Sequence, residues 1–172
     1  IEEGQHVKKG SLLARIDELP EPPLLPVDLR ELAEHAAQDI RAVAPDREIL
    51  LVASGSARVL ADPERMRQVL SNLVANAVIH TPPRTGIEIS VAEEGDQAVL
   101  EVRDHGPGLP ADAGDHLFER FWRTEGGRSR GRGGAGLGLA IVRTIVETHH
   151  GEIRAYNAAE GGAVFRVTLP IM

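Results

Sequence analysis

Residues 62–83 read DPERMRQVLSNLVANAVIHTPP, and this stretch decides the fold. Asp62 is a suitable N-cap, Pro63 fits a first helical turn, and Glu64 lies near the positive end of a helix dipole. Apolar residues then recur at helical intervals until a proline pair ends the pattern. The sequence therefore predicts a long helix with one buried face, formed by Met66, Val69, Leu70, Leu73, Val74, Ala77 and Val78.

A polar stripe runs along the same helix beside the apolar face. Asn72, Asn76 and His80 recur every four residues and so share one side of the helix. An asparagine inside a helix costs roughly 0.5 kcal/mol relative to alanine, so two of them on one stripe need a reason. One interpretation is a cleft in which amide oxygens meet a hard cation such as Mg²⁺. The alternative is a solvated helix face.

The elements on either side follow from similar patterns. Helices are predicted from Asp28, which is a suitable N-cap, to Pro45 and over residues 137–149. Three helices and about six strands predict an α+β fold, a two-layer sandwich in which the helices cover one face of a mixed, mostly antiparallel sheet. The predicted strands are residues 49–53 and 57–61 as one hairpin, 86–93 and 97–104 as another, and then 151–155 and 163–169.

The first 26 residues differ from the rest. Residues 20–26, PEPPLLP, hold four prolines in seven positions, which is typical of an extended linker. We therefore place a boundary near Pro26, with residues 1–26 as an N-terminal extension and 27–172 as one domain. Residues 3–13 share a short pattern with lipoyl carriers, but the strands of such a fold do not follow. We interpret that stretch as foreign to the domain or as a chance similarity.

Composition excludes several classes of protein. The 172 residues suffice for one compact domain, and 42% of them are apolar. The net charge of −7 argues against nucleic acid as the main partner. The absence of cysteine excludes a disulfide scaffold, a thiolate metal site and a cysteine nucleophile. No apolar run approaches the ~18 residues that a membrane span requires.

A carboxylate and two glycines follow one predicted strand, as Asp104-His105-Gly106-Pro107-Gly108. A carboxylate only accepts hydrogen bonds, so it suits an exocyclic amine such as that of adenine. Glycines allow a flat ligand to approach the backbone closely. The alternative is an ordinary turn, since all of these residue types except His105 are common turn formers.

A second glycine-rich segment, Gly133–Leu139, opens the last predicted helix. A helix N-terminus with bare N–H groups is suited to phosphate. No strand precedes the segment, so its match to a dinucleotide-binding fingerprint fails on context, and no P-loop motif is present. A flexible linker would explain the glycines but not the apolar helix that starts directly after them.

Between the two glycine segments, residues 119–132 hold five arginines and two glutamates, a local charge of +3. Basic charge in a glycine-rich loop favours a mobile lid over a polyphosphate. The alternative is a nucleic-acid patch, which the acidic chain as a whole disfavours.

In this order and spacing, the four motifs resemble the ATP-binding catalytic domain of bacterial two-component sensor histidine kinases, within the superfamily shared with gyrase, the Hsp90 chaperones and MutL. The resemblance covers residues 27–170 and implies the Bergerat-type ATP-binding fold. Its motifs are the N box at 65–82, the first glycine box DHGPGLP at 104–110, the F box LFERFWR at 117–123, the second glycine box GAGLGLAIV at 134–142, and a closing strand GGAVFRVTLP at 161–170.

This resemblance implies ATP and Mg²⁺ as cofactors. Asn76 would ligate the metal, and Asn72 would assist it or contact phosphate. Asp104 would bind the adenine amine. Arg120 and Arg123 would neutralise charge on the transferred γ-phosphoryl group. The remaining implied nucleotide contacts are His80, Gly106, Gly108, Gly134, Gly136, Leu137 and Gly138.

Two departures from the family pattern matter. Many members carry a basic residue three positions after the magnesium asparagine, where this chain has Ile79. Phosphate neutralisation would then fall more heavily on the lid arginines. Hydrolysing relatives have a glutamate where this chain has Asn72. Because an amide cannot take a proton from water, the residue favours transfer to an acceptor over hydrolysis.

The resemblance also implies partners. The acceptor would be a histidine on a separate dimerisation domain, whose motif is absent here, and residues 11–16 are interpreted as the tail of its helix. A response regulator would follow. The isolated domain would be a monomer and the full-length protein a homodimer, membrane-anchored with this domain in the cytoplasm. The alternatives are an anti-sigma-factor-type serine kinase of the same superfamily and a catalytically silent nucleotide-binding module.

Overall fold

Seven strands, three α-helices and one short 3-10 helix make up the described part of the chain. The structure is a computed structural model, and it describes residues 23–55, 57–111, 113–121 and 136–172. In chain order the elements are β1 (Leu25–Asp28), α1 (Leu29–Val43), β2 (Ile49–Ala53), β3 (Arg58–Ala61), α2 (Pro63–His80), β4 (Ile87–Glu94), β5 (Gln97–Asp104), the 3-10 helix (Gly114–Phe118), α3 (Gly138–Thr148), β6 (Glu152–Asn157) and β7 (Ala163–Pro170).

Five strands form the main sheet in the order β2-β4-β5-β7-β6. The β2–β4 pair is parallel and the other three pairs are antiparallel. Alternate residues of β4, Ile87, Ile89 and Val91, are buried beneath the helices, as their period of two requires. The three helices cover one face of this sheet, so the predicted α+β sandwich is confirmed.

The predicted hairpin of residues 49–53 and 57–61 is wrong. β2 pairs in parallel with β4, whereas β3 pairs with β1 in a separate two-stranded sheet. The chain leaves the main sheet between them, where Ala57 adopts a left-handed conformation with φ of 38°. The Ala57 N–H donates to Glu93 Oε1 at 2.9 Å, so a residue 36 positions away fixes this crossing.

Strand β1 was not predicted, because its proline-rich sequence indicates a linker. Leu25 pairs with Ala61 and Val27 with Val59, and Val27 is buried. A proline is tolerated in a strand that lies at a sheet edge, where its missing N–H removes no ladder hydrogen bond. The boundary near Pro26 stays a prediction, and residues 1–22 lie outside the described ranges.

Both predicted helix caps are confirmed. Asp28 accepts from the Arg30 N–H at 2.9 Å, and Asp62 accepts from the Glu64 and Arg65 N–H groups at 2.9 and 3.3 Å. Helix α2 then buries its predicted apolar face against the sheet and its neighbours, except that Val78 is only partly buried. No helix among the described residues is long and apolar enough to cross a membrane.

The uncovered face of the sheet carries charged side chains. Arg166 donates to Glu101 at 2.7 Å and also to Glu94, and the Tyr156 hydroxyl donates to Glu101 at 3.1 Å. Partial burial, together with Glu101, raises the pKa of Tyr156 above its ordinary value. These pairs span four strands, which makes this face a solvated ionic surface rather than a second core.

His149 connects the end of α3 to the beginning of α2. Its ring is buried, with Nδ1 2.7 Å from the Ile145 carbonyl oxygen and Nε2 3.1 Å from the Asp62 nitrogen. Because the Asp62 N–H can only donate, Nε2 accepts, and the proton lies on Nδ1, which donates to Ile145. One neutral tautomer therefore satisfies both contacts, and α2 and α3 are antiparallel neighbours.

Replacing His149 by alanine is expected to lower the free energy of unfolding by about 2–4 kcal/mol, since the substitution leaves the Asp62 N–H without an acceptor and opens a cavity. Chemical denaturation followed by circular dichroism measures this. The matched control is His150→Asn at the exposed next residue, whose φ of 61° asparagine tolerates. An equal loss in the control would contradict the role of His149.

Candidate functional site

Helix α2 contacts both glycine boxes. Near its middle, the Asn72 side-chain amide donates to the Gly138 carbonyl at 3.3 Å. Just beyond its end, a Cβ added to Gly106 would lie 2.7 Å from the Thr81 methyl group, so only glycine fits there. Gly106 and Gly138 are 32 positions apart in the chain. The two glycine boxes to which they belong therefore contact the same helix.

Asn76 lies on α2 between these two contacts, and His80 directly precedes Thr81 at the end of the helix. Asn76 is half-buried, and its side chain makes no hydrogen bond to any residue that the structure describes. His80 is the last residue of α2 and is exposed. The predicted stripe is therefore not a freely solvated helix face at Asn72 and Asn76, since both are half-buried and Asn72 contacts the start of α3.

Asp104 ends β5 and is one of few buried acidic residues, with only 5% of its surface exposed. Its Oδ1 accepts from the Gly106 N–H at 2.9 Å and from the Ala163 N–H at 3.3 Å. Both hydrogen bonds use the same oxygen, which leaves Oδ2 for a donor from elsewhere. The carboxylate is thus held in place by backbone, as a recognition group requires.

The tip of the β6–β7 hairpin packs against Asp104. Gly162 has φ of 89°, and a Cβ there would lie 1.8 Å from the Asp104 carbonyl oxygen, so the backbones touch. The Ala163 N–H reaches the Asp104 side chain from the same tip. Residues 161–162, GG in the closing-strand motif, were the only signal in the sequence for this contact.

Asn157 holds the other end of the first glycine box. Its Oδ1 accepts from the Leu109 N–H at 2.7 Å and its Nδ2 donates to the Leu109 carbonyl at 3.1 Å. A Cβ on Gly108, which has φ of 83°, would lie 2.6 Å from the same Oδ1. Asn157 was not predicted, because no sequence motif links it to a segment 48 residues away.

The described part of the F box, residues 117–121, is anchored by burial and contacts the second glycine box. Leu117 and Phe118 are buried, and the Arg143 guanidinium lies 5.9 Å from the centre of the Phe118 ring. At the exposed end, the Phe121 N–H donates to the Gly136 carbonyl at 3.0 Å. The segments that flank residues 122–135 therefore meet beside the start of α3.

The structure brings most predicted site residues to one region. Arg120 is exposed next to the Phe121–Gly136 contact. Leu137 is the N-cap of α3 and supplies no side-chain acceptor to its first N–H groups. A helix N-terminus without such an acceptor can receive an anion. Arg123 and Gly134 lie outside the described residues.

The side chains that α2 could offer to a metal ion at this site are amides rather than carboxylates. No group of three or more His, Asp or Glu residues in the described ranges could hold a metal ion. Magnesium keeps several waters and is often bound by one or two side chains together with phosphate oxygens. Asn72 and Asn76 fit such a minimal site only when a phosphate chain supplies the remaining ligands.

A groove of about 970 Å³ lies on another flank of α2, between it and α1. It is lined by residues such as Ile40, Val43, Val74 and Ile79 and includes none of the predicted site residues. The candidate site is therefore defined by contacts between α2 and the glycine boxes, not by this cavity.

Comparison with known proteins identifies the family. The model of the family described as histidine kinase-, DNA gyrase B- and HSP90-like ATPase matches residues 61–172. The chain belongs to this family. Within the family it is similar to sensor histidine kinases, so the resemblance inferred from the four motifs is confirmed.

Among curated relatives, the probable sensor histidine kinase TcrY of Mycobacterium tuberculosis is 39% identical, covering 93% of this chain and 34% of the relative. BaeS of Escherichia coli, a signal transduction histidine-protein kinase, is also 39% identical, covering 85% of this chain and 32% of the relative. The chain thus spans about a third of the length of these family members.

Solved structures show the same fold. The mycobacterial sensor histidine kinase MprB superposes with a TM-score of 0.75 at 27% identity, covering 86% of this chain and 97% of that one. Full-length ShkA in complex with AMPPNP gives a TM-score of 0.75 at 32% identity, covering 92% of this chain and 33% of that one. The family fold is therefore shared over most of the described residues.

Replacing Asn157 by alanine is expected to loosen the first glycine box without unfolding the sheet. Loss of the hydrogen bond, worth about 1 kcal/mol, should speed amide exchange at Leu109 about fivefold. Hydrogen exchange followed by NMR measures this. Tyr156→Phe is the matched control, because it removes a hydrogen bond to Glu101 on the neighbouring residue of β6. Unchanged exchange in Asn157→Ala would contradict the clamp.

Proposed function

We propose that this domain binds Mg-ATP and donates the γ-phosphoryl group to a histidine on a separate dimerisation domain of the same protein. The observation that carries the proposal is Asp104, a buried carboxylate whose Oδ1 is bound by backbone N–H groups and whose Oδ2 has no such contact. Membership of the ATPase family and similarity to sensor histidine kinases support it.

In this proposal Asp104 Oδ2 accepts a hydrogen bond from the exocyclic amine of adenine. Gly106 and Gly108 lie within four residues of it, and both are already in contact with side chains that leave no room for a Cβ. The base would lie flat against this loop, close to the end of α2. His80 would flank the nucleotide.

The phosphates would extend from there along α2 towards the start of α3. The backbone N–H groups after Leu137 would receive them, with Gly136 and Gly138 permitting close approach. Arg120 would add a positive charge, and we place Arg123 and Gly134 in the same role on the basis of the family pattern. This arrangement stabilises negative charge that spreads over the transferred group.

Asn76 would hold the magnesium ion, with Asn72 beside it. Bound magnesium supplies charge neutralisation of the phosphate chain. The chain's own contribution is to fix the amides: Asn72 is tied to Gly138 at 3.3 Å, and Asn76 lies one helical turn further along.

The acceptor imidazole would attack the γ-phosphorus as the bond to the β–γ bridging oxygen breaks, so that ADP leaves. Phosphoryl transfer asks the protein mainly for positioning and electrostatics. Asn72 cannot accept a proton from water, and transfer to the histidine is therefore favoured over hydrolysis.

We further propose that the whole protein is a homodimeric, membrane-anchored sensor with this domain in the cytoplasm, and that a response regulator receives the phosphoryl group. The sensor kinases to which the chain is similar support this, since the chain spans only about a third of their length.

Asp104→Asn is expected to weaken ATP binding at least about tenfold with little change in stability. The asparagine keeps the Oδ1 acceptor for Gly106 and Ala163 but presents an N–H₂ donor to the adenine amine. Isothermal titration calorimetry with ATP and thermal unfolding of both proteins measure the two effects. Unchanged affinity in the variant would exclude Asp104 from adenine recognition.

Asn76→Ala is expected to remove the magnesium dependence of ATP binding and to abolish transfer. The assay supplies γ-labelled ATP and a histidine-bearing dimerisation domain, and follows acid-labile label on its histidine. A surface variant, Arg30→Ala, is the control for transfer. Normal magnesium enhancement in Asn76→Ala would contradict the ligand assignment, and acid-stable label on serine would contradict the proposed acceptor.

A further inference from the structure

We propose that Arg47, which lies outside all four motifs, is a positioning residue for the nucleotide site. It lies in the loop between α1 and β2, and it acts through Thr81 on Gly106 and Asp104. The inference rests on the proposed function, because it concerns the same site.

Arg47 makes four hydrogen bonds, all to the segment around the end of α2. Its Nη1 donates to Thr81 Oγ1 at 2.7 Å and to the Thr85 carbonyl at 3.1 Å. Its Nη2 donates to the carbonyls of Val78 at 2.9 Å and Thr81 at 3.2 Å. One side chain thus fixes the segment from Val78 to Thr85 from a position more than 30 residues earlier in the chain.

A guanidinium suits this position for two reasons. The last carbonyls of a helix have no partners within the helix, and the C-terminal end carries partial negative charge. Arginine presents several donors in a rigid plane, so it can donate at once to a carbonyl in the last turn, that of Val78, and to the carbonyls of Thr81 and Thr85 after the helix. Lysine would keep the charge but would offer its donors from one nitrogen.

Thr81 carries the effect from Arg47 to the first glycine box. Its hydroxyl accepts from Arg47 and donates to the Ala77 carbonyl at 2.6 Å, so both hydrogen-bonding roles of Oγ1 are used. This fixes the rotamer of a buried side chain and directs its methyl group at Gly106. The Gly106 N–H in turn donates to Asp104 Oδ1.

The consequence is a fixed separation between the end of α2 and the adenine-binding carboxylate. Without Arg47, Val78 and Thr81 would lose their partners and the last turn of α2 would fray. Thr81 could then rotate away from Gly106, while Asn76 and Asp104 would no longer be held in one geometry. Weaker nucleotide binding is expected.

The test uses Arg47→Met in the 172-residue chain, since methionine keeps much of the apolar stem and removes every donor. ATP affinity measured by calorimetry is expected to fall about tenfold. The control is Arg41→Met: Arg41 also lies before β2 and donates one hydrogen bond to the Ile49 carbonyl at 2.9 Å. Arg41→Met is expected to change ATP affinity less than about twofold. Equal losses in the two variants would overturn the proposal.

A double-mutant cycle identifies the route. Thr81→Val keeps a branched side chain and removes the hydroxyl, so it breaks the link from Arg47 through the Thr81 side chain while the three carbonyl contacts of Arg47 remain. If Arg47 acts through the Thr81 hydroxyl, Arg47→Met should cost less affinity in the Thr81→Val background than in the wild type. Additive losses would overturn the proposal, because they would mean that the two residues act independently. Arg47→Lys is expected to fall between wild type and Arg47→Met.

The outcomes separate the two proposals. A wild-type chain that binds no ATP would refute the proposed function. Wild-type binding with unchanged affinity in Arg47→Met would refute only the positioning role. Should Arg47→Met not fold, Thr81→Val alone decides the question, since unchanged ATP affinity in that variant would refute the route through Gly106.

Discussion

The site depends on one buried carboxylate held by backbone. Asp104 Oδ1 accepts from Gly106 on one side and from Ala163 on the other, so the end of β5, the first glycine box and the β6–β7 hairpin converge on a single oxygen. A buried charge is costly unless its hydrogen bonds are made. Meeting that requirement with two N–H groups fixes the orientation of the carboxylate and leaves Oδ2 without a backbone donor.

Helix α2 is the second constraint, because it positions both ends of the site. Its Asn72 contacts Gly138 at the start of α3, and Thr81 contacts Gly106 beyond its last turn. The helix is itself held at each end by residues from elsewhere: His149 binds the N–H of its N-cap, and Arg47 binds the carbonyls at its other end. Asn76 therefore lies on a helix whose two ends are fixed.

The two faces of the main sheet have different roles. The covered face packs against the helices and forms the hydrophobic core with them. The uncovered face is solvated and carries ionic pairs such as Arg166 with Glu101. The proposed site lies at the edge where strand ends meet helix ends. The groove between α1 and α2 is lined by none of the residues proposed for the reaction.

The sequence by itself determined the helices, their caps at Asp28 and Asp62, the asparagine stripe and the order of the glycine boxes. These features are local: a cap acts within one turn, and a period of four residues defines a helix face. Only the tertiary structure decided that β2 runs parallel to β4 rather than forming a hairpin with β3, and that β1 pairs at all. It also decided the contacts of Arg47 with Thr81, Asn157 with Leu109 and His149 with Asp62, which span 34, 48 and 87 positions. Such contacts depend on how the strands are ordered in the sheet, and no local pattern encodes that order.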